Sequence, residues 1–222
     1  MKTVWLQRNG HTRVLVFFAG WGMDERPFRR FTAVGHDVLV CSDYRETALP
    51  DAAWQAIRTY AAADVVAWSL GCAVAARALA AGGWPAGDRV AINGTVCPED
   101  ETRGIPARWM SATADNLAAG GWRKFVRRMC SEPAALADFE ANPPDRDVPG
   151  LIAELQVLRQ LPAPVRAGFD RAWVGTDDRI ILAENQRRCW EHYGVPVVSA
   201  KAPHHPFHWW KTWEETLTWR RT

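Results

Sequence analysis

The chain has 222 residues, with 27 lysines and arginines against 25 aspartates and glutamates. That near balance argues against a nucleic-acid binder whose affinity rests on neutralising phosphates, while a local basic patch for an acidic partner stays open. Five widely spaced cysteines (Cys41, Cys72, Cys97, Cys130, Cys189) without a Cys-x-x-Cys pair argue against a disulfide framework or a zinc site, and favour a reducing compartment. No stretch has the length and apolarity of a signal peptide or a membrane span, so a cytoplasmic protein without membrane attachment is expected, its residues 1–222 forming one domain.

Residues 3–7 and 13–18 are apolar runs joined by Arg8-Asn9-Gly10-His11, and Asn-Gly between such runs predicts a hairpin. The glycine-rich loop Ala19-Gly20-Trp21-Gly22-Met23-Asp24 follows, then a helix through Phe31. Residues 37–41 read as a strand and 51–60 as a helix capped by Asp51. A strand over 64–68 runs into a helix over 70–81 closed by Gly82-Gly83, and 89–92 is a strand ending at Asn93-Gly94-Thr95. From 98 to 164 only helical patterns occur, over 120–130, 134–141 and 148–160. Strands return at 171–174 and 195–199 with a helix over 182–193 between them, and a last helix follows Pro206. Such alternation predicts a mostly parallel sheet of about seven strands with helices on both faces. The helical block 98–164 reads as an insertion over the sheet's C-terminal edge, where open parallel sheets bind ligands, and so as a lid.

The strand Asp64-Val65-Val66-Ala67-Trp68 ends abruptly in Ser69, and the small residues Gly71, Cys72 and Ala73 open a helix. That is the pattern of a nucleophile elbow, in which a sharp turn pushes a serine hydroxyl out at the end of the sheet. Ala67 stands where many elbows have glycine. A serine needs a base and an orienting acid, each placed after a later strand. After 171–174 comes Gly175-Thr176-Asp177-Asp178, where Asp178 is preferred and Asp177 is the fallback, with helix capping as the plain alternative. After 195–199 comes Lys201-Ala202-Pro203-His204-His205-Pro206-Phe207-His208, with His204 as the base, His205 as the alternative base, and His205 and His208 otherwise rim or packing residues. A metal site of the three histidines is the competing reading, but no acid or cysteine in the loop completes it, and no metal or other cofactor is expected. The backbone amides of Leu70 and of Trp21 in the first glycine loop are the expected oxyanion donors.

These residues can be matched to a family. The chain resembles the α/β-hydrolases of the BioG type, the pimeloyl-[acyl-carrier protein] methyl ester esterases of biotin synthesis. The resemblance is carried by residues 18–24, by Ala67-Trp68-Ser69-Leu70-Gly71, by Ile92-Asn93-Gly94-Thr95 with Gly104-Ile105-Pro106, by 175–180 followed by Asn185-Gln186, and by His204-His205-Pro206-Phe207. It implies an α/β-hydrolase fold and hydrolysis of the far-end methyl ester of a seven-carbon diacid held on acyl carrier protein. Trp122-Arg123-Lys124-Phe125-Val126-Arg127-Arg128-Met129 reads as an amphipathic helix within the lid, its four basic residues opposite Phe125, Val126 and Met129. Acyl carrier proteins are acidic, so Arg123, Lys124, Arg127 and Arg128 are the expected docking face, with an ordinary solvated face as the alternative. A general carboxylesterase or thioesterase with the same machinery, and a non-catalytic binding protein on this fold, are the competing functions.

Overall fold

The computed structural model describes residues 1–218. Seven strands form one sheet in the order β1-β3-β2-β4-β5-β6-β7: β1 Lys2–Gln7, β2 Arg13–Phe18, β3 Asp37–Ser42, β4 Ala62–Trp68, β5 Arg89–Ile92, β6 Arg171–Gly175 and β7 Val197–Ala200. Only β1 runs antiparallel. Residues 14–18 of β2 and 63–68 of β4 are buried throughout, as expected of central parallel strands covered on both faces.

The expected hairpin of β1 and β2 does not form. β3 lies between them, and β1 pairs with it, Lys2 opposite Ser42 and Trp5 opposite Leu39. The Asn9-Gly10 turn is captured instead by the start of β3, where Asp37 Oδ1 accepts the amides of Asn9 at 2.7 Å and His11 at 3.3 Å. Both edges of β2 are thereby free to take parallel partners.

Helices α1 (Asp51–Ile57) and α2 (Gly71–Ala80) precede and follow β4. Pro50, not Asp51, occupies the cap of α1, and no side chain bonds its first amides; Asp51 sits in the first turn. The helix expected through Phe31 is only a 3-10 turn, Arg26–Phe28. Between β5 and β6 the chain forms four helices: α3 (Ala107–Ala118), α4 (Trp122–Cys130), α5 (Pro133–Ala141) and α6 (Val148–Arg159). The first of these was not expected, although Met110, Ala114 and Leu117 fall at helical spacing along it. After β6 come α7 (Ala183–His192) and β7, then a 3-10 turn at Phe207–Trp209 and a short α8 (Trp213–Thr218) in place of one continuous last helix. Trp213 of α8 packs on Phe17, ring centroids 5.1 Å apart, and on Phe31 at the same separation, closing the core under β2. Among the described residues no helix is long and apolar enough to cross a membrane.

Candidate active site

Ser69 has φ +58°, a left-handed conformation that a non-glycine residue adopts only when its surroundings enforce it. The turn works because its neighbours have no side chain. A Cβ on Gly71 would fall 2.3 Å from the Ala19 carbonyl oxygen, and one on Gly94 would fall 2.4 Å from that of Ser69. Ala67 is fully buried in β4, so its methyl group is accommodated there.

The hydroxyl of Ser69 lies 2.9 Å from Nε2 of His204, and Nδ1 of His204 lies 2.7 Å from Oδ2 of Asp178. All three residues are buried, and they stand after β4, β7 and β6. Asp178 is held on both oxygens. Oδ1 accepts the amides of Ile180 at 2.8 Å and Ile181 at 2.9 Å, while Oδ2 also accepts Gln186 Nε2 at 2.8 Å. Asp177 is half-buried, and its amide donates to the Ala202 carbonyl, while the imidazole of His204 bonds Asp178.

The His204 backbone is tied to the sheet. Its carbonyl accepts the Trp68 indole at 2.8 Å and the Asn93 amide nitrogen at 3.0 Å. Asn93 Nδ2 also donates to Pro203, and its Oδ1 accepts the Gly175 amide at 2.6 Å, so one side chain at the end of β5 joins the acid strand to the histidine loop. His205 is buried between Phe139, Phe207 and Trp68, and burial drives its imidazole well below the usual histidine value, into the neutral form. His208 Nε2 lies 3.4 Å from Glu132. The three imidazoles therefore turn to three different sets of partners.

Among the described residues neither the Trp21 nor the Leu70 amide donates to a protein acceptor. The Trp21 loop passes close to the serine because Gly20 leaves room: a Cβ there would lie 3.1 Å from that of Ser69. Two free amides beside an exposed-end hydroxyl can hold an oxyanion.

A cavity of about 30 Å³ opens onto Ser69 and His204. Its floor includes Trp21, Trp68 and Leu70, and its roof Trp109, Met110 and Thr113 of α3, Phe125, Arg128 and Met129 of α4, and Leu155 of α6. Arg123, Lys124 and Arg127 stand exposed on α4. Arg128 reaches the cavity mouth, donating to the Arg179 carbonyl at 2.6 Å and lying over the Trp109 ring. The structure brings Ser69, Asp178 and His204, singled out in the sequence, within hydrogen-bond reach of one another, and it sets the basic residues of 123–128 on α4. The sequence reading missed the anchoring by Asn93 and Gln186, seen only as parts of a resemblance, and the aromatic roof of α3. A polar residue closing a buried strand, as Asn93 does, was the available signal.

The sequence model of the family described as "Pimeloyl-ACP methyl esterase BioG" matches residues 1–216. The chain is 37% identical over 183 residues to a malonyl-[acyl-carrier protein] O-methyltransferase of Bacteroides fragilis, covering 81% of this chain and 36% of that one. It thus spans about a third of the length of that relative. The crystal structure of BioG from Haemophilus influenzae is similar at a TM-score of 0.85 and 28% identity, over 98% of this chain and 100% of the other. An alpha/beta hydrolase fold protein from Burkholderia ambifaria is similar at a TM-score of 0.62 and 17% identity, over 91% and 87% of the two chains, a likeness of fold.

Proposed function

Because the chain belongs to the BioG family of pimeloyl-ACP methyl esterases, which are carboxylic ester hydrolases, we propose that it removes the methyl group from pimeloyl-[acyl-carrier protein] methyl ester in biotin synthesis. The observation that carries this reading is the chain of contacts from Ser69 through His204 to Asp178 within a family match that covers nearly every residue. The name of the Bacteroides relative refers to a carrier-bound diacid, which supports the same substrate class.

His204 takes the Ser69 proton as the oxygen attacks the methyl ester carbonyl, and the amides of Trp21 and Leu70 hold the oxyanion. His204 then gives its proton to the departing methanol. Water, deprotonated by the same imidazole, releases the free carboxylate from Ser69. Asp178 fixes the tautomer of His204 and stabilises its charged form.

The helices of residues 98–164 act as a lid. The acyl chain enters the cavity over Ser69, between Trp109 and Met110 of α3, Phe125 of α4 and Leu155 of α6. Arg123, Lys124, Arg127 and Arg128 then receive the acidic carrier protein and the phosphate of its prosthetic arm. The test is mass spectrometry of carrier-bound pimeloyl methyl ester after incubation with the wild type and with Ser69→Ala. Loss of the methyl group with the thioester intact, abolished in the variant, is expected. Release of the whole acyl chain would mark a thioesterase, and an unchanged substrate would overturn the reading.

A further inference from the structure

The glycine loop after β2 is gripped residue by residue by the segment that enters and forms α6. Trp21 Nε1 donates to the Leu151 carbonyl at 2.9 Å, and the Gly22 amide donates to Glu154 Oε2 at 3.3 Å. Arg146 Nη1 donates to the Met23 carbonyl at 2.9 Å, and Asp24 Oδ2 accepts the Asp145 amide at 2.8 Å. The approach is close: a Cβ on Gly22, whose φ is +77°, would meet Leu151 at 3.0 Å.

Glu154 is the hub of this grip. Its carboxylate is completely buried, yet it lies on the apolar face of α6 beside Leu151, Leu155 and Leu158. Oε1 accepts the Tyr44 amide at 2.9 Å, and Oε2 accepts Arg146 Nη2 at 2.9 Å besides the Gly22 amide. The Tyr44 hydroxyl in turn donates to the Ala19 carbonyl at 2.9 Å. One carboxylate thereby reaches both ends of the loop, Gly22 directly and Ala19 through Tyr44. Burial pushes the Glu154 carboxyl up from its ordinary value, with Arg146 opposing that rise. A helix that only covered the cleft would be served as well by another leucine, since a buried ion pair is weak as a source of stability. What the carboxylate adds is the aim of backbone groups.

We infer that Glu154 is a positioning residue for oxyanion stabilisation, fixing the loop so that the Trp21 amide points at the carbonyl oxygen attacked by Ser69. This rests on the reading of Ser69 as nucleophile and Trp21 as oxyanion donor. It also divides the inserted helices by role. The 145–154 segment belongs to the catalytic framework, while Trp109, Met110 and Phe125 of α3 and α4 line the cavity above it.

The test uses the full chain, a short nitrophenyl ester and a fluorophosphonate probe, with Glu154→Ala and Glu154→Gln. In Glu154→Ala, kcat should fall about tenfold to a hundredfold, because a misplaced donor forfeits much of its stabilisation. KM should stay within about twofold, since the loss is confined to the transition state. Phosphonylation of Ser69 should slow in parallel, as that adduct also places an oxygen between the two amides. Glutamine turns an NH₂ toward one of the two backbone amides, so Glu154→Gln should fall between alanine and wild type, by about fivefold, with the same split. Wild-type kcat in a folded Glu154→Ala, or a loss that appears only in KM, would overturn the inference. Where Glu154→Ala fails to fold, a Glu154→Gln protein with wild-type kcat and phosphonylation rate overturns it equally. A wild type whose Ser69 resists the probe would sink the parent reading; a labelled wild type with unaltered variants sinks this inference alone.

Discussion

Oδ2 of Asp178 lies 2.7 Å from Nδ1 of His204 and accepts Gln186 Nε2 at 2.8 Å on the same oxygen. The ring nitrogen facing the acid is thereby the protonated one, which leaves Nε2 free to accept from Ser69. Asparagine at position 178 can present an NH₂ group to the ring, favouring the opposite tautomer. Asp178→Asn should therefore lower kcat by about 10⁴-fold, and Asp177→Asn should leave it near wild type. Steady-state hydrolysis of a methyl ester by the two variants checks this. A severe loss in Asp177→Asn would reassign the acid.

Asn93 bonds Gly175, Pro203 and His204, and it does so from a left-handed backbone at φ +43°. No other polar side chain of its size reproduces all three bonds. Asn93→Ala should cost about 2–4 kcal/mol of stability through the buried polar groups it abandons. Thermal unfolding would record that cost, and kcat should fall further than in a core substitution of equal thermal effect.

At the other end of the sheet His36 bridges Asp64, 2.8 Å from its Oδ2, and Glu214 of α8, also at 2.8 Å, while Arg13 pairs with Asp64 at 2.7 Å. Burial alone would lower the His36 imidazole, but its bonds to Asp64 and Glu214 outweigh this and raise it above its ordinary 6.5. Burial would likewise raise the two carboxyls, yet His36 and Arg13 hold Asp64 below its ordinary value, and His36 with nearby backbone amides does the same for Glu214. The histidine's contribution is thus complete below about pH 6.5 and lost as pH rises through its raised folded value. The carboxylates contribute above about pH 4.5 and lose that contribution as pH falls through their lowered values. This cluster is strongest between those limits. Tm should drop from pH 6 to pH 8.5, and His36→Gln should flatten that decline. A wild-type Tm that is level across the range would contradict the assignment.

The docking role proposed for the basic face of α4 can be tested apart from the chemistry. Reversing two exposed charges, Arg123→Glu with Arg127→Glu, should lower kcat/KM on the carrier-bound ester by about tenfold or more and weaken its dependence on salt. Hydrolysis of a short nitrophenyl ester should stay within about twofold of wild type. Equal losses on both substrates would mean that the helix supports the site rather than the carrier.

Ser69, His204 and Asp178 could be read in the sequence because each follows a strand of an alternating pattern, and the ends of parallel strands are where such groups meet. The pairing of β1 could not. Asn9-Gly10 is a strong local turn signal, but Asp37, remote in sequence, supplies bonds that a local rule does not count. The helix α3 was hidden for a different reason: its Ser111, Thr113, Asp115 and Asn116 disfavour helix locally, and packing of Met110 and Leu117 overrides them. Glu154 was legible in principle, as a carboxylate on the same helical face as three leucines, but its partner Gly22 lies in another part of the chain.

The His204 carbonyl, held by Trp68 and Asn93, also bears on how the protein can change. Its anchors stand on β4 and directly after β5, beside the elbow, while the amide of the same peptide group, that of His205, donates to the Met129 carbonyl of α4 at 3.2 Å. The main chain under the imidazole is therefore pinned, leaving rotation of the ring as the chief freedom for the proton transfers proposed above. Substrate preference can then drift through substitutions at Trp109, Met110 or Phe125 without re-tuning the base. A chimera that exchanged α3 for that of another esterase would leave the His204 main chain anchored as it is, whereas an exchanged α4 would also have to supply a carbonyl where Met129 holds the His205 amide.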